Sequence, residues 1–210
     1  MITDVIKIVN NLRREETPIN LSKAFGNPDL VREKMSEILR GLTIQHMEKI
    51  DNNFVDDIAE ELFAEGFGFD LVSLNIQRGR DHGLPSYVDY RELCLGSSGK
   101  ATSFDDLNSN INSAVTSKYI PLISYFFNSC VNFSIYFMFQ NIRRLKKAYK
   151  NVDDIDLYVG MIMEDATDGP IGDTFRCLIV DVFSRMRYGD RYFYDNSGQA
   201  GSFTGGKLFY

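Results

Sequence analysis

Ile2, Val5, Ile6, Val9 and Leu12 recur at helical spacing, which predicts a helix at the start of the chain. The charged run Arg13-Arg14-Glu15-Glu16-Thr17-Pro18 breaks it. Gly26-Asn27-Pro28-Asp29 then opens a second helix, with Pro and Asp at the positions that favour a start. Val31, Met35, Ile38 and Leu39 give that helix an apolar face, and Gly41 stands where it would end. From Asp51, Phe54, Val55, Ile58, Leu62 and Phe63 share one face while Asp56, Asp57, Glu60 and Glu61 lie on another, and Gly66-Phe67-Gly68 closes this helix. Ser86, after Leu84-Pro85, is placed to cap a short helix to Cys94, and Gly96 to end it. Phe175, Leu178, Ile179, Val182, Phe183 and Met186 mark a last amphipathic helix, stopped by Gly189-Asp190 ahead of Tyr192-Phe193-Tyr194. The tail from Ser197 reads as loop. There is no internal repeat, and no segment alternates strongly enough for a sheet, so the expected architecture is all-α.

One stretch departs from this pattern. Tyr119 to Ile142 carries no charged residue over 24 positions, is crowded with Phe and Tyr, and is followed by Arg143, Arg144, Lys146 and Lys147. Its length and flanks suit a membrane span. Pro121, Asn128, Ser129, Asn132, Ser134 and Gln140 weigh against insertion, and Phe133, Ile135, Phe137 and Phe139 alternate like a strand, so a span is the minor reading.

Composition narrows the function classes. The 210 residues are 44% hydrophobic and 25% charged, the balance of a folded soluble domain. With 23 basic against 29 acidic residues the net charge is −6, which argues against a nucleic-acid surface and against attachment to anionic lipid by charge alone. Two His and three Cys form no C-x-x-C or H-x-x-x-H spacing, so no zinc site is expected. The N-terminus lacks the basic cluster and apolar stretch of a signal peptide.

The chemistry is concentrated in Leu71-Val72-Ser73-Leu74-Asn75-Ile76-Gln77-Arg78-Gly79-Arg80-Asp81-His82-Gly83-Leu84-Pro85-Ser86-Tyr87. Asn75 and Arg78 are three apart and on a helical turn face the same way. An amide oxygen accepts an imidazole N–H, and a guanidinium clamps a carboxylate with two hydrogen bonds. The pair could hold a carboxylate-bearing ligand beside a metal-bound His. The plainer reading, that Arg78, Arg80 and Asp81 make ion pairs that order a turn, is favoured by physics alone.

This run resembles the signature L-N-x-Q-R-G-R-D-H-G-L-P-x-Y of the animal haem peroxidases. Ile38-Leu39-Arg40-Gly41-Leu42, the segment Asn151 to Gly160, Gly172-Asp173-Thr174-Phe175-Arg176-Cys177 and Gly189-Asp190-Arg191-Tyr192-Phe193-Tyr194 resemble further family blocks in the same order, over about residues 17 to 205. The resemblance implies a mostly helical peroxidase-type domain, residues 1–210 being its C-terminal part. It implies that Asn75 accepts the Nδ1–H of the histidine that ligates haem iron, that Arg78 pairs with a haem propionate, and that Leu71 and Leu74 pack near the porphyrin. Outer partners of this kind orient a ligand and tune the metal. It further implies a disulfide between Cys94 and Cys177, hence an oxidising, secreted or extracellular setting; two buried free thiols are the alternative. Arg80-Asp81 is expected to be a structural ion pair, His82 a structural hydrogen-bonded residue and His46 a surface residue. Asn20-Leu21-Ser22 and Asn132-Phe133-Ser134 fit the glycosylation triplet, a pattern that also arises by chance.

The resemblance also implies what is missing. The family's distal His and Arg, its proximal His and its calcium ligands lie ahead of the I-L-R-G-L block, and no such motif occurs here. The cofactor implied is a b-type haem whose iron ligand this chain does not supply, with calcium confined to the complete family domain. The complete enzyme would reduce hydrogen peroxide and oxidise small donors, in response to oxidative stress. Alone, this chain is expected to be inactive, and whether it counts as an enzyme stays open. The alternative is a non-catalytic, peroxidase-derived structural or interaction module. Residues 115–141 would be an atypical insertion, read as a gene-model artefact. Truncation would expose apolar faces such as that of Phe54, Ile58 and Leu62 and promote aggregation.

Overall fold

Tyr87 is fully buried and opens α4 (Tyr87–Leu95), and the core of this computed structural model is built around it. The structure describes residues 5–10, 12, 14, 17–63, 68–111 and 140–198. Ser86 and Asp89 form a reciprocal capping box at the start of α4, and Gly96 ends it at φ 65°, a left-handed conformation that a Cβ would strain. Val88, Ala101, Leu107, Ile111, Ile142, Leu145, Val152, Ile155 and Met163 surround Tyr87. They come from the turns after α4, from α5 (Asn108–Ile111), α6 (Gln140–Ala148) and α7 (Leu157–Met163), so the core joins segments far apart in sequence. The last helix, α8 (Asp173–Gly189), docks on α4 through the Cys94–Cys177 disulfide, with Cα atoms 6.0 Å apart.

A smaller unit precedes this core. The start of the chain is not the helix its spacing predicts: Val5–Ile6 is a strand, β1, paired antiparallel with Ile19–Asn20, β2. Gln45 decides the matter. Its side chain accepts from Lys7 N at 3.2 Å and donates to Val5 O at 3.0 Å, holding the backbone extended. Arg40 Nε adds a bond to Val9 O at 2.9 Å. Val and Ile lose little in an extended chain, so these tertiary bonds prevail over periodicity.

Helix α1 (Pro28–Ile44) is where the sequence places it, with Asn27 capping Leu30 N, but Gly41 does not end it. Gly41 is buried because a Cβ there would lie 1.9 Å from Lys7 O, so glycine lets β1 approach the helix. The helix expected from Asp51 shrinks to α2 (Asp56–Ala59). Beyond it Phe63 takes φ 54° and Leu62 bridges to Phe69, a turn that diverts the chain. Residues 64–67, including Gly66-Phe67, lie outside the described residues.

Ile58 and Leu62 are buried and Phe54 half-buried, so the apolar surface is not where the sequence suggests. It lies on Val31, Met35, Leu39 and Leu42 of α1 and on Val180, Val182, Phe183 and Met186 of α8. Among the described residues, no helix is long and apolar enough to cross a membrane. Apart from residues 140–142, which begin α6, the span and strand readings of Tyr119 to Ile142 and the 115–141 insertion fall outside the described residues, as do the Asn132 triplet and most of the tail from Ser197.

Candidate functional site

The signature segment folds as helix α3 (Leu71–Asp81). Asp70 starts it by accepting from Val72 N at 2.9 Å and Ser73 N at 3.2 Å. Leu71, Leu74, Asn75 and Arg78 stand at i, i+3, i+4 and i+7 and so form one stripe along α3. Asn75 and Arg78 line a cavity of about 590 Å³, a size that suits an organic cofactor. Ile76, Leu84, Leu157 and Met161 give it apolar walls. Leu71 is half-buried and Leu74 39% exposed, and neither is part of the cavity lining.

Arg78 is held on its own helix. Its Nη1 donates to Asp81 Oδ2 at 2.9 Å, and Nη2 lies 3.4 Å from His82 Nε2. The other imidazole nitrogen, Nδ1, donates to Arg78 O at 2.8 Å, satisfying a carbonyl at the helix end. His82 is thus hydrogen-bonded at both nitrogens, as a structural histidine would be. His46 is exposed just past α1. A guanidinium has five N–H donors, so the Asp81 and His82 contacts leave Arg78 able to meet a carboxylate in the cavity.

The pairing expected within Arg80-Asp81 is not made. Arg80 reaches across to Asp156, with Nε to Oδ1 at 2.8 Å and Nη2 to Oδ2 at 2.6 Å, while Asp81 serves Arg78. Successive helix residues point about 100° apart, so neighbours cannot share one partner side. Tyr149 OH also donates to Asp156, at 2.7 Å. The Arg80 hydrogen bonds hold the Asp156 carboxyl below the usual range, and burial beside that carboxylate pushes the Tyr149 hydroxyl up to about 12. Asp156 precedes α7, so one carboxylate ties α3, the end of α6 and α7 into the floor of the cavity. Sequence reasoning missed it because Asp153, Asp154 and Asp156 look alike; only packing turns Asp156 inward.

A second buried carboxylate lies beside Tyr87. Glu164 is 6% exposed and accepts from Tyr87 OH at 3.2 Å, Thr174 Oγ1 at 2.9 Å and Thr174 N at 2.9 Å. It thereby caps the start of α8. Burial pushes its carboxyl above the ordinary range. Folded Glu164 therefore holds its proton at pH values where the unfolded chain, at about 4.3, has released it. Stability is expected to rise as pH falls from neutrality toward about pH 5. Asp156 acts with the opposite sign, and its contribution is lost below about pH 3.9. Urea midpoints measured across this range should show the rise and then the fall, and Glu164→Gln should flatten the rise alone.

Among the described residues, no group of three His, Cys, Asp or Glu could hold a metal ion. The cavity offers the Asn75 amide, the Arg78 guanidinium and apolar walls, together with His82, the Arg80–Asp156 pair and the carboxylates of Asp153 and Asp154. The amide, the Arg78 guanidinium and the apolar walls fit the rim and face of a porphyrin that carries carboxylates, and the acidic residues of the lining come from the separate segment 153–156. His82 is among the cavity-lining residues, with Nδ1 donating to Arg78 O and Nε2 3.4 Å from Arg78 Nη2, while His46 is not part of the lining.

The chain belongs to the animal haem peroxidase family, whose profile matches residues 1–208. It is 33% identical over 198 residues to chorion peroxidase of Drosophila melanogaster, covering 91% of this chain and 20% of that protein. It is 36% identical over 189 residues to peroxinectin A of Dictyostelium discoideum, covering 89% of this chain and 30% of that protein. The fold matches the solved structure of peroxidase A from Dictyostelium discoideum, with TM-score 0.69 and 28% identity, over 93% of this chain and 33% of that one. The chain thus spans a fifth to a third of the length of these relatives.

Proposed function

We propose that this chain is the porphyrin-cradling, C-terminal part of a haem peroxidase domain, whose complete form reduces hydrogen peroxide and oxidises small donors. The observation that carries this is Asn75 and Arg78 side by side on the wall of a cavity of about 590 Å³. Arg78 would hold a propionate and Asn75 would accept the N–H of an imidazole supplied from outside this chain, while Leu71 and Leu74, on the same stripe of α3 but outside the cavity lining, would meet the ring only where it extends beyond the cavity. Bound haem supplies the electrons that reduce peroxide. This chain's own residues bind and orient the cofactor and keep water from one face. The calcium of the complete domain draws no ligands from here. The open apolar faces of α1 and α8 support a reading in which further polypeptide covers them. The Cys94–Cys177 disulfide supports secretion into an oxidising, extracellular setting.

Hemin titration followed in the Soret region tests the proposal. The 210-residue chain should bind hemin weakly and oxidise no phenol with added peroxide. Arg78→Ala should weaken binding about fivefold, about 1 kcal/mol, because the guanidinium is largely exposed. A six-coordinate spectrum with robust turnover would overturn the cradle-only role. Equal binding by Arg78→Ala would remove the propionate contact.

A further inference from the structure

Helix α6 is basic in an acidic chain. Within the eight residues from Arg143 to Lys150 there are five cations, Arg143, Arg144, Lys146, Lys147 and Lys150, while the whole chain has net charge −6. Ile142 and Leu145 anchor the helix in the core, and all five cations are exposed. At about 100° per residue the four on the helix sweep an arc of about 160°, with Arg143 and Lys147 at its centre one turn apart. Lys146 is paired with Asp105 at 2.8 Å. Arg144, Lys147 and Lys150 have no ion-pair partner among the described residues. The sequence before the helix offers no neutralising charge, since residues 119–142 carry none. Of the acids that follow, Asp154 is occupied by its own Asn151 turn, Asp156 by Arg80 and Tyr149, and Asp153 is exposed.

We propose that this face of α6 binds a sulfated polysaccharide. A row of cations on a rigid helix meets a linear polyanion and gains by releasing its counterions, as any polyanion-binding surface does. Two competitors fit less well. Single-stranded nucleic-acid surfaces interleave aromatics for base stacking, and the exposed arc of α6 has none, while duplex-binding domains carry a basic excess that this chain lacks. Interfacial helices insert an apolar face into lipid, and that face of α6 is already buried in the core. The disulfide places the chain where sulfated polysaccharides occur. The inference does not depend on haem.

The test is retention of the monomeric full chain on immobilised heparin in about 0.15 M salt. The chain should be retained. Arg144→Ser with Lys147→Ser should weaken binding at least tenfold and lower the salt slope by about two counterions. Lys150→Ser, past the helix end, should give a separate two- to threefold loss. Arg32→Ser with Arg185→Ser removes the same charge from α1 and α8 and should leave retention unchanged. Circular dichroism establishes that each variant is folded, and all these positions are exposed. Flow-through of the parent chain, equal loss in both double variants, or equal binding to desulfated heparin would overturn the proposal. So would tighter binding to duplex DNA or to phosphatidylserine vesicles.

Discussion

Replacing Cys94 and Cys177 together by Ala is expected to cost about 4.5 kcal/mol, the value for closing a loop of this length in the unfolded chain. The two cysteines are 83 positions apart, and the bond joins α4 to α8. Domain stabilities are about 5–15 kcal/mol, so the loss would remove a large share of the total. Guanidinium unfolding of the double variant, and of the parent with and without reductant, measures it. Reduction of the parent should reproduce the effect of the substitution. A loss under about 1 kcal/mol would mean that the Glu164–Thr174 contacts hold α8 without the covalent link.

Gly160→Ala should destabilise by about 3 kcal/mol or prevent folding. In a helix interior this exchange ordinarily stabilises by up to about 1 kcal/mol. Here the new Cβ would lie 2.0 Å from Tyr87 Cγ and 2.4 Å from Cδ2. The ring cannot retreat. It is fully buried, its hydroxyl is bonded to Glu164, and its backbone N–H donates to Ile155 O at 2.9 Å. Overpacking of a pinned side chain reverses the usual sign. Gly79→Ala in α3 is the control: its Cβ would meet only Leu84 Cδ1, at 3.7 Å, and the variant should melt slightly higher than the parent. Thermal melts of both separate close packing from helix propensity.

The contrast between these glycines shows where the sequence speaks clearly. Ser86, Pro28 and Gly96 act through their immediate neighbours, and the helix starts and stop they mark appear where they are expected. The stripe of Leu71, Leu74, Asn75 and Arg78 is equally local, since helix geometry alone aligns it. Remote partners decided the rest. Gln45 straightened the first strand from 40 positions away. Asp156 took Arg80 from Asp81 across 76 positions. Gly41, placed to end a helix, serves instead, like Gly160, as a point of close approach. The covering of Ile58 and Leu62, and the exposure of the α1 and α8 faces, likewise followed from which surfaces meet. Periodicity shows that a face is apolar and not what lies against it.

Asn141 Nδ2 donates to Ile111 O at 3.4 Å, and Leu107 and Ile111 share the core with Ile142 and Leu145. Ile111 and Asn141 therefore lie side by side on this helical scaffold. Closing a loop between two such ends costs free energy that grows only with the logarithm of its length. The seam between Ile111 and Asn141 is thus a natural graft site, where an excised stretch or a foreign cassette would leave the α3 cavity and the Cys94–Cys177 disulfide in place.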